Sequence, residues 1–150
     1  MNVRILARAI IYDPKKNKIL LVKNKGAEFW YAPGGGWEHD EENILECVER
    51  EVQEEVGIRV NVESMIYAQE FQATEDTKFL ELFWLTTPKE GGIYDEDHID
   101  LDPNGQVEIA KWYSKDSLSD LKVFPKRLKS TFWDNMDFFL NKEDPFIGVS

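Results

Sequence analysis

A proline and three glycines, Pro33-Gly34-Gly35-Gly36, separate a β-rich N-terminal stretch from a helix, and this junction constrains the fold more than any other segment. Proline lacks an N–H and fixes φ, and consecutive glycines neither hold a strand nor open a helix, so the segment reads as a loop. Helical spacing follows over residues 41–56, where Ile44, Cys47, Val48 and Val52 recur on one side. Asp40 is the expected N-cap, and Gly57 stands where a glycine ends a helix in the left-handed conformation.

The flanking segments read as strands. Residues 3–11 and 18–22 are rich in Ile, Val and Leu, and Asp13-Pro14-Lys15-Lys16-Asn17 between them is a turn signal, so a hairpin is expected. Residues 60–71, 78–86 and 107–113 are further strand candidates, the second nearly continuous in apolar residues and suited to burial on both faces. Residues 88–106 turn acidic and rich in Gly, Pro and Asp, as a long surface loop would. Pro125 fits a first helical position, and Leu128, Phe132, Met136 and Phe139 follow at three- and four-residue steps. Strands mixed with two helices predict an α/β sandwich in one domain spanning residues 1–150.

Bulk properties narrow the partners. The chain of 150 residues has a net charge of −11. Nucleic-acid binders rely on lysine and arginine to displace counterions, so a long RNA or DNA partner is disfavoured. A small phosphorylated ligand is compatible with that charge once bound cations invert it locally. No apolar run reaches the roughly 18 residues that span a bilayer, and the single Cys47 excludes an internal disulfide. A cytoplasmic protein is expected. Cys47 itself reads as a core residue rather than a reactive thiol.

The helix carries the chemistry. With Glu51 as origin, Glu54 falls at about −60° and Glu55 at about +40° around the axis, so all three carboxylates share a sector of roughly 100°. That sector overlaps the apolar face, where an uncompensated charge is costly. They also occupy the last turns, where the helix dipole is negative, and their spacing makes them repel. A compensating cation would relieve both penalties, and hard oxygen ligands suit magnesium or manganese beside phosphate oxygens. The competing reading is the solvated face of an acidic helix.

The complete pattern decides between these readings. Gly36, Glu42, Arg50, Glu51, Glu54, Glu55 and Gly57, with apolar Val52 and Ile58, match at every fixed position the box of the Nudix hydrolases, which this chain resembles over about residues 3–125. Trp30-Tyr31-Ala32-Pro33-Gly34-Gly35 resembles the approach to that box, and Glu108 with Trp112 resembles a common downstream pairing. The resemblance implies a Nudix-type α/β/α sandwich with a mixed sheet, and hydrolysis of a pyrophosphate bond in a small nucleoside diphosphate derivative such as a nucleoside triphosphate, ADP-ribose or a nucleotide sugar. It implies Mg2+, or Mn2+, held by Glu51, Glu54 and Glu55 with the Gly35 carbonyl. Arg50 would orient Glu51, the alternative being a helix-surface ion pair with Glu46 or Glu54. Glu42 would support the ligands from behind, or simply suit a first helical turn. Glu51 or a downstream carboxylate would take the proton from water, with Glu108 the first candidate and Asp95, Glu96, Asp97, Asp100 and Asp102 its rivals. Arg8, Gly34 and Gly36 are candidate substrate contacts, the alternative for Arg8 being an ordinary surface arginine. The alternative function is a nucleotide-binding or regulatory module of the same fold without turnover. A homodimer is compatible with this reading but not derivable from it.

Overall fold

The computed structural model describes residues 1–89 and 107–150, with the side chain of Glu108 excepted. Its elements are β1 (Asn2–Asp13), β2 (Lys18–Asn24), β3 (Trp30–Tyr31), β4 (Gly34–Gly36), α1 (Ile44–Val56), β5 (Val60–Thr74), β6 (Thr77–Pro88), β7 (Val107–Tyr113), β8 (Val123–Phe124), α2 (Thr131–Asp134) and α3 (Met136–Asn141). The strands form one mixed sheet in the order β5-β6-β1-β2-β3-β8, with β4 joined to β1 and β7 to β2. β1 runs parallel to β6 and forks on its other edge. Its Leu6–Arg8 stretch pairs with β4, and its Ile11–Asp13 end pairs with β2.

Period-two alternation sorts the core into two layers. Ala7, Ala9, Ile11, Leu20, Val22 and Trp84 face α1 and meet Cys47, Val48, Val52 and Val56. Ile10, Tyr12, Ile19, Leu21, Phe83 and Leu85 face the other way, against Leu128, Phe132, Met136 and Phe139. Because β1, β2 and the second half of β6 are apolar on both sides, the centre of the sheet is buried between helical layers, as the α/β/α reading requires. No helix among the described residues is long and apolar enough to cross a membrane.

Three expectations need correction. The PGG segment is not wholly a loop, because Gly34–Gly36 pair antiparallel with Leu6–Arg8. A Cβ on Gly34 would collide with the Ala7 carbonyl oxygen and come within 2.7 Å of the Arg8 Cα, so only glycine lets the backbones close. The helix starts at Ile44 rather than Glu41, and its N-cap is Asn43 rather than Asp40. Asn43 Oδ1 accepts from the Glu46 N–H at 2.9 Å while Glu46 Oε1 accepts from the Asn43 N–H at 3.0 Å, a reciprocal capping box that Asp40 lacks. The C-terminal periodicity does bury Leu128, Phe132, Met136 and Phe139, but not as one helix. A 3₁₀ turn (Lys126–Lys129), α2 and α3 are broken at Ser130 (φ −144°, ψ −94°) and at Asn135 (φ −104°, ψ 10°). Asn135 donates its side-chain N–H to the Thr131 carbonyl, competing with the helical backbone pattern.

Candidate active site

The site lies where β4 meets the C-terminal half of α1. Gly57 ends that helix at φ 68°, with its N–H on the Gln53 carbonyl, so the chain turns away just beyond Glu54 and Glu55. Val48 and Val52 are fully buried under the same turns, which fixes the helix rotation and holds Glu51 against the glycine strand. A Cβ on Gly35 would stand 2.7 Å from the Glu51 carboxylate. Glycine therefore leaves the space the carboxylate occupies. The Gly34 N–H donates to Glu55 Oε2 at 2.6 Å, tying the second carboxylate to the same strand.

Arg50 organises the remainder. Its Nε and Nη2 donate to both oxygens of Glu42, at 2.7 and 2.9 Å. Its Nη1 donates to Glu51 Oε1 at 3.0 Å and to Glu54 Oε2 at 3.2 Å. Nη2 also reaches the Gly36 carbonyl at 3.3 Å. The forked pair holds the Glu42 carboxyl below its usual range and the Arg50 guanidinium above its own. Glu42 thus lies just before the helix and acts through Arg50. Of the two partners a helix-surface ion pair would use, Glu46 is engaged in the cap, while Glu54 does meet Arg50, at a longer distance than Glu42 does.

Glu51 differs electrostatically from its neighbours. Its side chain is 13% exposed against 40% for Glu54. Burial raises the Glu51 pKa, and Arg50 opposes that rise only in part. Lysine at position 50 would keep the charge but lose the fork on Glu42. Arg50→Lys is expected to cost about 2 kcal/mol of stability, measured by urea unfolding, and to lower turnover. Burial likewise pushes the Cys47 thiol up to about 12. Cys47 is buried and its Sγ meets the Gly36 carbonyl at 3.7 Å. Iodoacetamide at pH 8 is expected to leave the native protein unmodified and to alkylate it fully in denaturant, read by intact mass.

Three glutamate carboxylates with backbone carbonyls beside them are a donor set for a hard divalent cation. The space left at Gly35 admits the first of them to the glycine strand. Among the described residues no three acidic, histidine or cysteine groups are already closed around a common point. Arg50 and the Gly34 N–H hold the carboxylates in the meantime.

Arg8 projects from β1 on the face opposite α1. Its Nε donates to Glu81 Oε2 at 3.0 Å and its Nη1 to the Gly34 carbonyl at 3.3 Å, while its guanidinium lies 5.5 Å over the Tyr31 ring. Sequence reasoning missed Glu81, buried in β6 and also contacted by Gln69 at 3.4 Å. The available signal was a lone acid inside the apolar run Phe79-Leu80-Glu81-Leu82-Phe83-Trp84. Glu108 lies in β7, where the pairing with β2 shifts register between Lys23 and Asn24. Its side chain, and Asp95, Glu96, Asp97, Asp100 and Asp102, lie outside the described residues. His39 sits on the surface beside Asp40, at 3.1 Å. Trp84 and Phe132 are core residues rather than stacking platforms.

A glycine strand seated on a helix with this carboxylate order has a known counterpart. Residues 3–133 match the NUDIX domain family. The chain belongs to the Nudix family. Its members are hydrolases that act on pyrophosphate bonds. Among solved structures it is similar to the MutT NUDIX hydrolase from Burkholderia pseudomallei, with 22% identity, a TM-score of 0.65, and coverage of 86% of this chain and 96% of that one. A NUDIX family hydrolase from Clostridium perfringens gives 19% identity, a TM-score of 0.70, and 91% and 99% coverage. An ADP-ribose pyrophosphatase from Streptococcus suis gives 21% identity, a TM-score of 0.60, and 91% and 89% coverage. At these identities the likeness speaks for the fold. Among curated protein sequences none matches this chain.

Proposed function

We propose that this Nudix hydrolase cleaves a phosphoanhydride bond in a small nucleoside diphosphate derivative, in the cytoplasm, with magnesium or manganese bound by Glu51, Glu54, Glu55 and the Gly35 carbonyl. One observation carries the reading: a nearly buried carboxylate, Glu51, is pressed against a glycine strand and only partly neutralised by Arg50. Such a charge is costly to keep unless a ligand of opposite sign uses it. A divalent cation, when bound, supplies Lewis-acid stabilisation of phosphate charge.

The chain's own residues do the rest. Arg50, fixed by its fork to Glu42, sets the rotamer of Glu51 and stays charged throughout. Gly34 and Gly36 are candidate phosphate contacts through their backbone, because the space a Cβ would take is filled by β1 at Gly34 and by the Arg4 side chain at Gly36. Arg8 stands on the Gly34 carbonyl and offers its remaining N–H groups to a phosphate oxygen. The proton of the attacking water passes to Glu51 or, as an alternative, to Glu108.

A panel of nucleoside triphosphates, ADP-ribose, nucleotide sugars and dinucleoside polyphosphates, with magnesium and then with chelator, tests the proposal. Release of a nucleoside monophosphate or of inorganic pyrophosphate, lost on chelation, is the expected result. Binding without turnover across the panel would instead mark a regulatory module.

A further inference from the structure

Beyond the carboxylates, an open pocket of about 580 Å³ lies on the sheet face opposite α1, against Tyr67, Gln69, Phe83, Phe124, Lys126 and Arg127. It is joined to the proposed site by one row across the sheet. Tyr67 pairs with Phe83, Phe83 with Arg8, and Arg8 with Gly34. Three interstrand steps make the row about 14 Å long. A second line of contacts follows the same route, from Gln69 to Glu81, Arg8 and the Gly34 carbonyl. A ligand whose pyrophosphate lies at Gly34 and that runs along this row would reach Tyr67 with its far end.

The charge of that end is distinctive. Between residues 121 and 130 the sequence holds Lys122, Lys126, Arg127 and Lys129 and no acid, in a chain of net charge −11. Two of these cations are already engaged. Lys129 donates to the carbonyls of Ser119 and Leu121, and Lys122 lies 3.7 Å from Glu28. Lys126 and Arg127 line the pocket, and among the described residues neither has an acidic partner. Arg127 lies 5.3 Å over the Tyr67 ring, which fixes its guanidinium at the pocket wall. The Tyr67 hydroxyl is buried and has no hydrogen-bond partner among the described residues. An aromatic wall and two cations without an acidic partner among the described residues form a subsite for a ring-bearing group with its own negative charge.

We infer that Tyr67, Lys126 and Arg127 form a specificity subsite for a nucleoside carrying an anionic group of its own, beyond the pyrophosphate that the proposed function assigns to Glu51, Glu54 and Glu55. The inference rests on that reading for the placement of the pyrophosphate. The preferred substrates are thus nucleoside diphosphate derivatives with an additional phosphate on the nucleoside sugar, rather than simple triphosphates.

Matched probes test this. Binding of ADP-ribose and of its 2′-phosphorylated form is measured by calorimetry on the full chain with magnesium, and hydrolysis of each is measured in parallel. The phosphorylated form is expected to bind about ten-fold tighter, the factor one charge-assisted contact near the surface supplies. That ratio is expected to fall towards one in the Lys126→Ala/Arg127→Ala double variant, to survive in Arg127→Lys, and to be unchanged in Lys122→Ala, whose side chain lies outside the pocket. Equal affinities in the wild-type protein, no binding of either probe, or a ratio that persists in the double variant would overturn the inference. Hydrolysis without discrimination defeats the subsite and leaves the proposed function standing. Discrimination in binding without hydrolysis of any nucleotide does the reverse.

Discussion

Glu51→Gln is expected to lower kcat by about a thousand-fold while leaving the protein folded. Glutamine keeps the shape that fills the space beside Gly35 but surrenders the charge. It removes at once a proposed metal ligand and a candidate proton acceptor, so the loss falls on turnover rather than on folding. The same change relieves a penalty in the absence of metal, because burial raises the Glu51 pKa above its unfolded value. The folded state then holds the proton more tightly, and the wild-type chain loses stability as pH rises through the interval between the two values. With chelator present, the variant is expected to melt at or above the wild-type Tm at neutral pH, with the gain vanishing once pH falls below the unfolded pKa. A folded variant that retains turnover would remove Glu51 from the centre of the mechanism. Circular dichroism establishes that the variant is folded before its turnover is read.

Gly34→Ala is expected to destabilise the protein by roughly 3 kcal/mol, a large effect for one added methyl group. The reason is local and steric. Gly34 sits at φ +155°, and a Cβ there would run into the Ala7 carbonyl oxygen and lie 2.7 Å from the Arg8 Cα. Both obstacles are backbone in the centre of the sheet, which cannot step aside as a flexible side chain can. Gly36→Ala is the instructive contrast, because its Cβ would meet only the far end of the Arg4 side chain. Urea midpoints for the two variants should therefore separate clearly, with Gly36→Ala close to wild type. Loss of the β1–β4 pairing in Gly34→Ala would also release the N–H that holds Glu55, so activity should fall with stability.

Much of the local structure was legible because it rests on near neighbours. Gly57 ends the helix by its own φ, and Val48, Val52 and Val56 face the core by periodicity alone. The Asp13–Asn17 turn closes through the Lys15 N–H on Asp13 Oδ1 and the Tyr12 hydroxyl on Asn17. The errors came where a nearby partner competes or a distant one intervenes. Asn43 displaced Asp40 as N-cap because Glu46 completes a reciprocal pair. β4 was hidden because glycine has low strand propensity, and its pairing depends on Ala7 and Arg8, far back in the sequence. The C-terminal helix broke into pieces although its apolar spacing was right, since packing needs the face and not an unbroken ladder.

The sequence by itself determined the family, the order of carboxylates and the chemistry they offer, because fixed identities at fixed helical spacing place charges on one sector of a helix whatever surrounds it. The tertiary structure decided which of those carboxylates is buried, that Arg50 is bound to Glu42 rather than to Glu46, and that Arg8 stands on the glycine strand beside Glu81. It also decided that a basic, aromatic-walled pocket opens along one sheet row from that strand. Burial and charge pairing are properties of residues distant in sequence brought within a few ångströms, and no local spacing encodes them.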